Sequence, residues 1–195
     1  MTEINEYKRP DEDGYELWLR YNLIDDAELL ETYRQKIQQI VFQPNTPTLQ
    51  VAYDELLRGL SGLLGQETPT NTGDQSVRTL FCSTNPPEAF DAPFGVDEVG
   101  DEGFVISSDA NKIVIIANTD IGVLYGVFHF LRLLQTHQAL DDLHIVSAPK
   151  IKLRMLNHWD NRDGTIERGY AGYSLWDWHK LPHYVEPRYT DYAGS

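Results

Sequence analysis

The sequence predicts an α+β fold in which helices pack on a small antiparallel or mixed sheet. Three observations support this prediction. Two stretches near the N-terminal end have the apolar spacing of amphipathic helices, several β-rich runs lie close together in the middle of the chain, and a third helical stretch follows them. A chain of 195 residues can hold one domain of this kind, or one domain and part of another.

The first two helices are predicted from apolar periodicity and helix-start signals. Between Asp25 and Phe42, apolar residues recur at helical spacing, at Leu30, Tyr33, Ile37 and Ile40. Thr46 followed by Pro47 is typical of a helix start, because the hydroxyl caps the first turn and proline fits within it. The second helix is expected to stop at Gly65, and its apolar face contains Leu49, Tyr53, Leu56, Leu57, Leu60 and Leu64.

Three strands and a third helix are predicted after a polar loop at 65–76. Val77–Ser83 is a short β-rich run, and the runs Gly103–Ser107 and Lys112–Ala117 are joined by SDAN, which indicates a hairpin. Thr119 can cap the helix that follows. The buried face of that helix is predicted to contain Leu124, Phe128, Leu131 and Leu134.

The charge distribution bears on partners and on domain organisation. With 16 Lys and Arg against 30 Asp and Glu, the net charge is −14, which argues against nucleic acid as a partner. Residues 150–195 contain seven Lys or Arg and six Asp or Glu, whereas the rest of the chain contains nine and 24. This break predicts a domain boundary near Ala148 and Pro149, which divides the chain into residues 1–148 and 149–195.

The expected location is cytoplasmic. The N-terminal stretch has no apolar segment typical of a signal peptide, and no run is long enough to span a bilayer, so no membrane partner is expected. The single cysteine, Cys82, excludes an intramolecular disulfide, which is consistent with a reducing compartment. It lies in the apolar run TLFCST and is predicted to be buried and inert.

The segment from Arg154 to Ala193 has a composition typical of a carbohydrate site. It contains three of the four tryptophans and three of the six histidines, together with many charged and amide side chains. Aromatic faces can stack on the apolar C–H face of a sugar ring, while the polar groups bond its hydroxyls. The preceding run, Lys150–His158, alternates in polarity and predicts a strand. If this strand opens a TIM barrel, the residues at its C-terminal end lie at the active-site face.

Five runs resemble the α-glucuronidases of glycoside hydrolase family 67. These runs are EDGYELWLRY (12–21), RMLNHWDN (154–161), DGTIERGYAG (163–172), SLWDW (174–178) and RYTDYA (188–193). The first is similar to the start of the family's accessory domain, and the other four are similar to the opening of its catalytic barrel. The resemblance implies that 1–148 is an accessory scaffold and that 149–195 supplies the first strand and loop of an incomplete (β/α)8 barrel.

A second resemblance concerns residues 102–135. They are similar to the accessory α/β domain that precedes the barrel in several glycosidase families, including the hexosaminidases. In that comparison Gly122, Tyr125 and Gly126 fall in the helix that packs on the sheet. Their simplest role is structural, since small residues let a helix lie close to strands.

The family 67 resemblance implies an inverting glycoside hydrolase without a cofactor. The implied substrate is a glucuronic-acid-substituted xylo-oligosaccharide, in which the α-1,2 link between (4-O-methyl)glucuronic acid and xylose is hydrolysed. In the family the acid and bases come from later barrel strands, so the 195-residue chain alone is expected to be inactive. Two alternatives remain open: a non-catalytic carbohydrate-binding or interaction module, and the remnant of a damaged gene.

Trp159 is the first candidate for substrate contact. The resemblance implies that the tryptophan of NHWDN lines the pocket for glucuronic acid. His158 and Asp160, at the end of the predicted strand, complete the candidate substrate-binding set. The alternative for Trp159 is a core residue that seals the domain interface. For the aromatic residues of GYAGYSLWDW, packing of the loop is favoured over contact with more distant sugars.

No catalytic or metal-binding residue is assigned. His179 and His183 have the i, i+4 spacing of zinc ligands on a helix, but Pro182 between them breaks the helix that this spacing requires. Three nearby carboxylates match none of the family's catalytic positions and are expected to pair with arginines of the same loop. These carboxylates are Asp160, Asp163 and Glu167.

Overall fold

The residues described by the computed structural model are 16–74, 76–84, 98–155, 160 and 179–194. The chain forms two units, Tyr21–Lys152 on one hand and Met1–Arg20 with Leu153–Ser195 on the other. The first unit is α+β, with a small mixed sheet and three helices, in agreement with the predicted fold class. The domain boundary expected near Ala148 and Pro149 stays a prediction.

The first helix is shorter than its apolar periodicity predicts. Helix α1 spans Ala27–Lys36, and the Asp26 carboxylate caps it by accepting hydrogen bonds from two backbone amides of the first turn, each at 3.0 Å. The prediction of helix up to Phe42 was wrong, because Gln39–Phe42 form strand β1. Ile40 satisfies helical spacing and strand pairing equally well, and the backbone partners offered by neighbouring segments decide the outcome.

The second helix is confirmed at both ends. Helix α2 spans Pro47–Leu64, with Thr46 as the N-cap, whose hydroxyl accepts a hydrogen bond from Leu49 N at 3.2 Å. Gly65 ends the helix with φ +63°, a left-handed conformation that glycine adopts without steric cost.

The sheet has five strands in the order β1-β2-β4-β3-β5. Strand β2 is Thr79–Ser83, and β3 (Phe104–Ser108) and β4 (Lys112–Ile116) form the predicted hairpin. Strands β1, β2 and β4 are parallel, while β3 is antiparallel to both of its neighbours. The edge strand β5, His144–Ser147, was missed from the sequence because it is only four residues long and half exposed.

Residues 66–74, predicted as a loop, form an ordered strap along the other sheet edge. Ile40 N donates to Pro69 O at 2.9 Å, and Asn71 N donates to Ile40 O at 2.8 Å. The Asn71 side chain donates to Phe42 O at 3.1 Å and accepts from Phe42 N at 3.2 Å. This strap therefore covers backbone groups of β1 that an edge strand otherwise leaves unpaired.

Helix α3, Asp120–Gln135, packs closely on β3 and β4. Thr119 caps it as predicted, accepting from Gly122 N at 3.4 Å. A Cβ built on Gly122 would lie 2.6 Å from Ala117 Cβ, and one built on Gly126 would lie 2.5 Å from Ile115 Cγ2. The predicted structural role of these two glycines is thus confirmed, because any larger side chain would push the helix away from the sheet.

The core lies between α2, α3 and the sheet. Leu131 and Leu134 of α3 are buried as predicted, whereas Leu124 and Phe128 are only half-buried. The buried stripe of α3 is instead formed by Gly122, Val123, Gly126, Val127, Phe130, Leu131 and Leu134. In β3 and β4 consecutive residues are buried, so both faces of these two strands are covered.

The second unit contributes a short 3₁₀ helix, Leu17–Arg20, and helix α4, Pro187–Gly194. Glu16 N donates to Asp191 Oδ2 at 2.7 Å, which joins these two elements. Residues 150–155 have no strand hydrogen bonding, and the remainder of the predicted barrel strand lies outside the described residues. Among the helices described, none is both long and apolar enough to cross a membrane.

Candidate functional site

The candidate substrate-binding set is described at one position only. Asp160 is half-buried, while His158 and Trp159 lie outside the described residues. The same holds for Asp163, Glu167 and the aromatic run 170–178. The roles assigned to these side chains from the sequence therefore stay predictions.

The two histidines of the C-terminal region do not share a helix. His179 and His183 lie in a turn at 179–183, and α4 begins only at Pro187. The prediction that Pro182 prevents a helix across this spacing is confirmed. Within the described ranges, no three His, Cys, Asp or Glu residues are grouped as metal ligands.

One carboxylate ahead of α4 is committed to hydrogen bonds. Glu186 accepts from Arg188 Nε at 2.8 Å and from the Tyr184 hydroxyl at 3.2 Å. The bond from Arg188, which favours the charged form, is the main reason that the pKa of Glu186 is lowered. The group is therefore held ionised, as a structural acceptor needs to be.

Cys82 is buried within β2. Burial raises the pKa of its thiol, because the thiolate would lose its hydration. The expectation that this cysteine is buried is confirmed. The raised pKa supports the expectation that the thiol is unreactive, because the thiolate is the nucleophilic form.

A polar cluster at the start of the first unit is also structural. The Tyr21 hydroxyl donates to Glu55 Oε1 at 2.5 Å, and Arg58 donates to the same oxygen at 2.8 Å while lying over the Tyr21 ring. Burial and the neighbouring carboxylate raise the pKa of Tyr21, so the phenol stays a proton donor. These bonds tie the chain entering the unit to helix α2.

One cleft of the first unit differs from the others in its charge. It lies where the parallel strands β2 and β4 begin, and we call it the strand-start cleft. Its volume is about 230 Å³ and its lining includes Lys36, Arg78, Asp109, Lys112, Ile113 and Leu140. Sequence reasoning missed it, although one signal was available: Arg78 directly precedes β2 and Lys112 begins β4, in an otherwise acidic region.

Two further clefts of the first unit are lined mainly by neutral groups. One, of about 700 Å³, lies between α2 and the strap and includes Tyr53, Arg58 and Thr68. Thr68 Oγ1 is the one buried side-chain oxygen among the described residues without a hydrogen-bond partner. The other, of about 250 Å³, lies at the carboxyl ends of β1 and β2 beside Cys82.

Comparison with known proteins gives a consistent result along the chain. Residues 17–130 match the family model described as "Glycosyl hydrolase family 67 N-terminus", and residues 133–195 match that described as "Glycosyl hydrolase family 67 middle domain". The chain is 28% identical over 180 residues to alpha-glucuronidase A of Emericella nidulans, covering 86% of this chain and 21% of that protein. It is 30% identical over 179 residues to a probable alpha-glucuronidase A of Aspergillus terreus, covering 84% and 20%.

Among solved structures, a GH138 enzyme targeting pectin rhamnogalacturonan II matches with a TM-score of 0.45 and 18% identity, over 60% of this chain and 12% of that one. That score is below 0.5, so family membership depends on the sequence models. The chain spans about a fifth of the length of the curated relatives that it matches. Because the N-terminal and middle models follow one another in order and together cover nearly all of the described sequence, this protein belongs to glycosyl hydrolase family 67.

Proposed function

We propose that this chain is the N-terminal part of an α-glucuronidase. The proposed reaction is inverting hydrolysis of the α-1,2 link between (4-O-methyl)glucuronic acid and xylose in xylan-derived oligosaccharides. The observation that supports it best is the consecutive match to the N-terminal and middle models of the family. The curated relatives that the chain matches are named alpha-glucuronidases.

The two parts of the chain have different proposed roles. Tyr21–Lys152 forms a helix–sheet unit with its own buried core, and we assign it a scaffold role in the reaction. Residues 149–195 are proposed to begin the catalytic barrel, with Trp159 stacking on the uronic acid ring and with His158 and Asp160 beside it. Inverting hydrolysis needs an acid and a base about 6.5–9.5 Å apart, which we assign to barrel strands after Ser195.

This division predicts that the 195-residue chain does not cleave the substrate. The test is an assay of the purified chain with an aldouronic acid, with a full-length family 67 enzyme as the positive control. We expect no release of glucuronic acid above the uncatalysed rate, because no acid–base pair is assigned within the chain. Detectable release that persists after repeated purification would contradict the proposed division.

The role of Trp159 is tested by binding. Titration of the chain with an aldouronic acid, followed by tryptophan fluorescence, should give a weak saturable signal that Trp159→Ala removes. Trp18→Ala is the matched control, because Trp18 is 71% exposed and also belongs to the second unit. If Trp18→Ala removes the signal and Trp159→Ala does not, the proposed stacking residue is the wrong one.

A further inference from the structure

We propose that the strand-start cleft binds a small carboxylated ligand, specifically a single uronic acid residue. The cleft is lined in part by three of the eight cations described between Tyr21 and Lys152. These cations are Lys36, Arg78 and Lys112. The anionic character of the ligand follows from the cleft itself, whereas its identity as a uronic acid depends on the proposed function.

Sheet pairing brings two of these cations together. Strands β2 and β4 are parallel neighbours, and their register pairs Thr79 with Lys112. Arg78 immediately precedes Thr79, so both cations lie at the same end of the sheet. The backbone of Arg78 is fixed on both sides: its amide donates to Gln38 Oε1 at 2.9 Å, and its carbonyl accepts from Gln38 N at 3.0 Å.

The two carboxylates at the cleft are already committed. Asp109 Oδ1 accepts from Asn111 N at 2.7 Å and from Lys112 N at 2.8 Å, which closes the β3–β4 hairpin turn. Asp141 forms an ion pair with Lys36. Among the described residues, the side chains of Arg78 and Lys112 have neither an ion pair nor a hydrogen bond, so no described side chain neutralises these two positive charges.

The remaining surface of the cleft suits a sugar ring. Ile113 and Leu140, which are 3% and 2% exposed, form the closed floor of the cleft. Ala110 and Asn111 are exposed in its lining and offer a methyl group and an amide to a ring and its hydroxyls. A guanidinium offers paired donors to a carboxylate, and an ammonium adds a second charge. The volume of about 230 Å³ is below the ~300–1,000 Å³ typical of larger ligand pockets, which favours a single ring over an oligosaccharide.

The test compares a uronic acid with its neutral counterpart. The ¹⁵N-labelled 195-residue chain is titrated with D-glucuronate, with D-glucose, and with inorganic phosphate at equal ionic strength. We expect glucuronate to shift the backbone amide signals of Arg78, Asn111 and Lys112 with a Kd on the order of millimolar. Glucose should produce no comparable shift, and phosphate should bind more weakly because it has no ring to contact Ala110 and Asn111.

Charge-removing variants locate the site. Arg78→Gln and Lys112→Gln should each weaken glucuronate binding about tenfold, as expected for loss of one charge-assisted contact. Neither side chain has a partner within the described structure, so the folded spectrum should be retained. Lys152→Gln removes the same charge from a residue outside the cleft lining and should leave the affinity unchanged.

Three results would overturn the proposal. The first is the absence of shifts at these amides with glucuronate. The second is an equal response to glucose or to phosphate, which would remove the assignment to a carboxylated sugar. The third is equal weakening by Lys152→Gln, which would indicate attraction by general charge. Since none of these readouts involves bond cleavage, failure here is distinguishable from failure of the proposed α-glucuronidase function.

Discussion

Among the described residues, the two units of this chain differ in how many of their large apolar side chains are buried. In Tyr21–Lys152, large apolar residues such as Phe130 and Leu56 are fully buried. In the described part of the other unit, Leu153 and Met155 are each 73% exposed. The contrast between these residues teaches that an apolar side chain is not buried by its composition alone. A core forms where helices and strands cover one another's apolar faces.

We therefore expect the unit Tyr21–Lys152 to contribute most of the free energy of unfolding. Phe130→Ala removes a fully buried ring from α3, and we expect the free energy of unfolding to fall by about 3–5 kcal/mol. Met155→Ala, at a 73% exposed position, should change it by no more than ~0.5 kcal/mol. Urea denaturation followed by circular dichroism measures both values. Equal losses would show that the comparison between the units is mistaken.

The close packing of α3 on the sheet can be tested by adding one methyl group at Gly122. Helix propensity alone favours Ala over Gly by about 1 kcal/mol, so Gly122→Ala would stabilise an uncrowded helix. The added Cβ would meet Ala117 Cβ at 2.6 Å and also overlap the backbone of Gly103. We therefore expect a net loss of ~1–3 kcal/mol. Ser61→Ala, on the exposed face of α2, is the control and should be neutral or slightly stabilising by thermal unfolding.

A capping residue should have a smaller effect. The Thr46 hydroxyl accepts from Leu49 N and donates to Asp120 Oδ2 at 2.6 Å, which links the starts of α2 and α3. Thr46→Ala should lower the free energy of unfolding by about 1 kcal/mol, and Thr46→Ser should retain most of it. A loss in Thr46→Ser equal to that in Thr46→Ala would indicate that the methyl group, and not the hydroxyl, is responsible.

The smallest expected effects are changes of stability with pH, which follow from one lowered pKa in each unit. The physical cause of the lowered pKa differs between the two units. Burial lowers the pKa of His129 in α3, and the Arg132 charge lowers it further; Arg132 donates to His129 Nδ1 at 3.0 Å. A histidine whose folded-state pKa lies below its unfolded value of about 6.5 stabilises the fold above that pH, and this contribution is lost as pH falls through the two pKa values. NMR titration should therefore give a midpoint below 6.5, and Arg132→Gln should raise it.

In the other unit, a hydrogen bond is the main cause of a lowered pKa. The pKa of Glu186 is lowered chiefly by the bond from Arg188, so its contribution is present above the unfolded pKa and is lost as pH falls through the folded one. Arg188→Gln should shift the carboxyl titration upward in a ¹³C-detected experiment. An unchanged midpoint would show that the bond at 2.8 Å is not maintained in solution.

Part of the fold could be predicted because its signals are local. Thr46, Pro47 and Gly65 mark the ends of α2 through hydrogen bonds and dihedral preferences within a few residues. The hairpin of β3 and β4 is likewise determined by two β-rich runs and a short turn, in which Asp109 accepts the turn amides. Family membership was also predictable, because the matching runs are specific in sequence.

Other features depended on partners that are distant along the chain. Ile40 became a strand residue because Leu80 and Pro69 supply its backbone neighbours, and the strap at 66–74 has no regular periodicity that could reveal its pairing. The candidate site divides in the same way. Trp159 was found by motif and stays a prediction, whereas the strand-start cleft could not be found from one segment alone.

The sequence by itself determined both ends of α2, the start of α3, the hairpin, the burial of Cys82 and the family, because these depend on hydrogen bonds and apolar patterns among residues close together in the chain. Only the tertiary structure decided that Arg78 and Lys112 share a cleft, because parallel pairing of β2 and β4 joins residues 33 positions apart. It also decided that Gly122 and Gly126 lie on the buried face of α3 while Leu124 and Phe128 are only half-buried, because the glycines let the helix approach the strands closely.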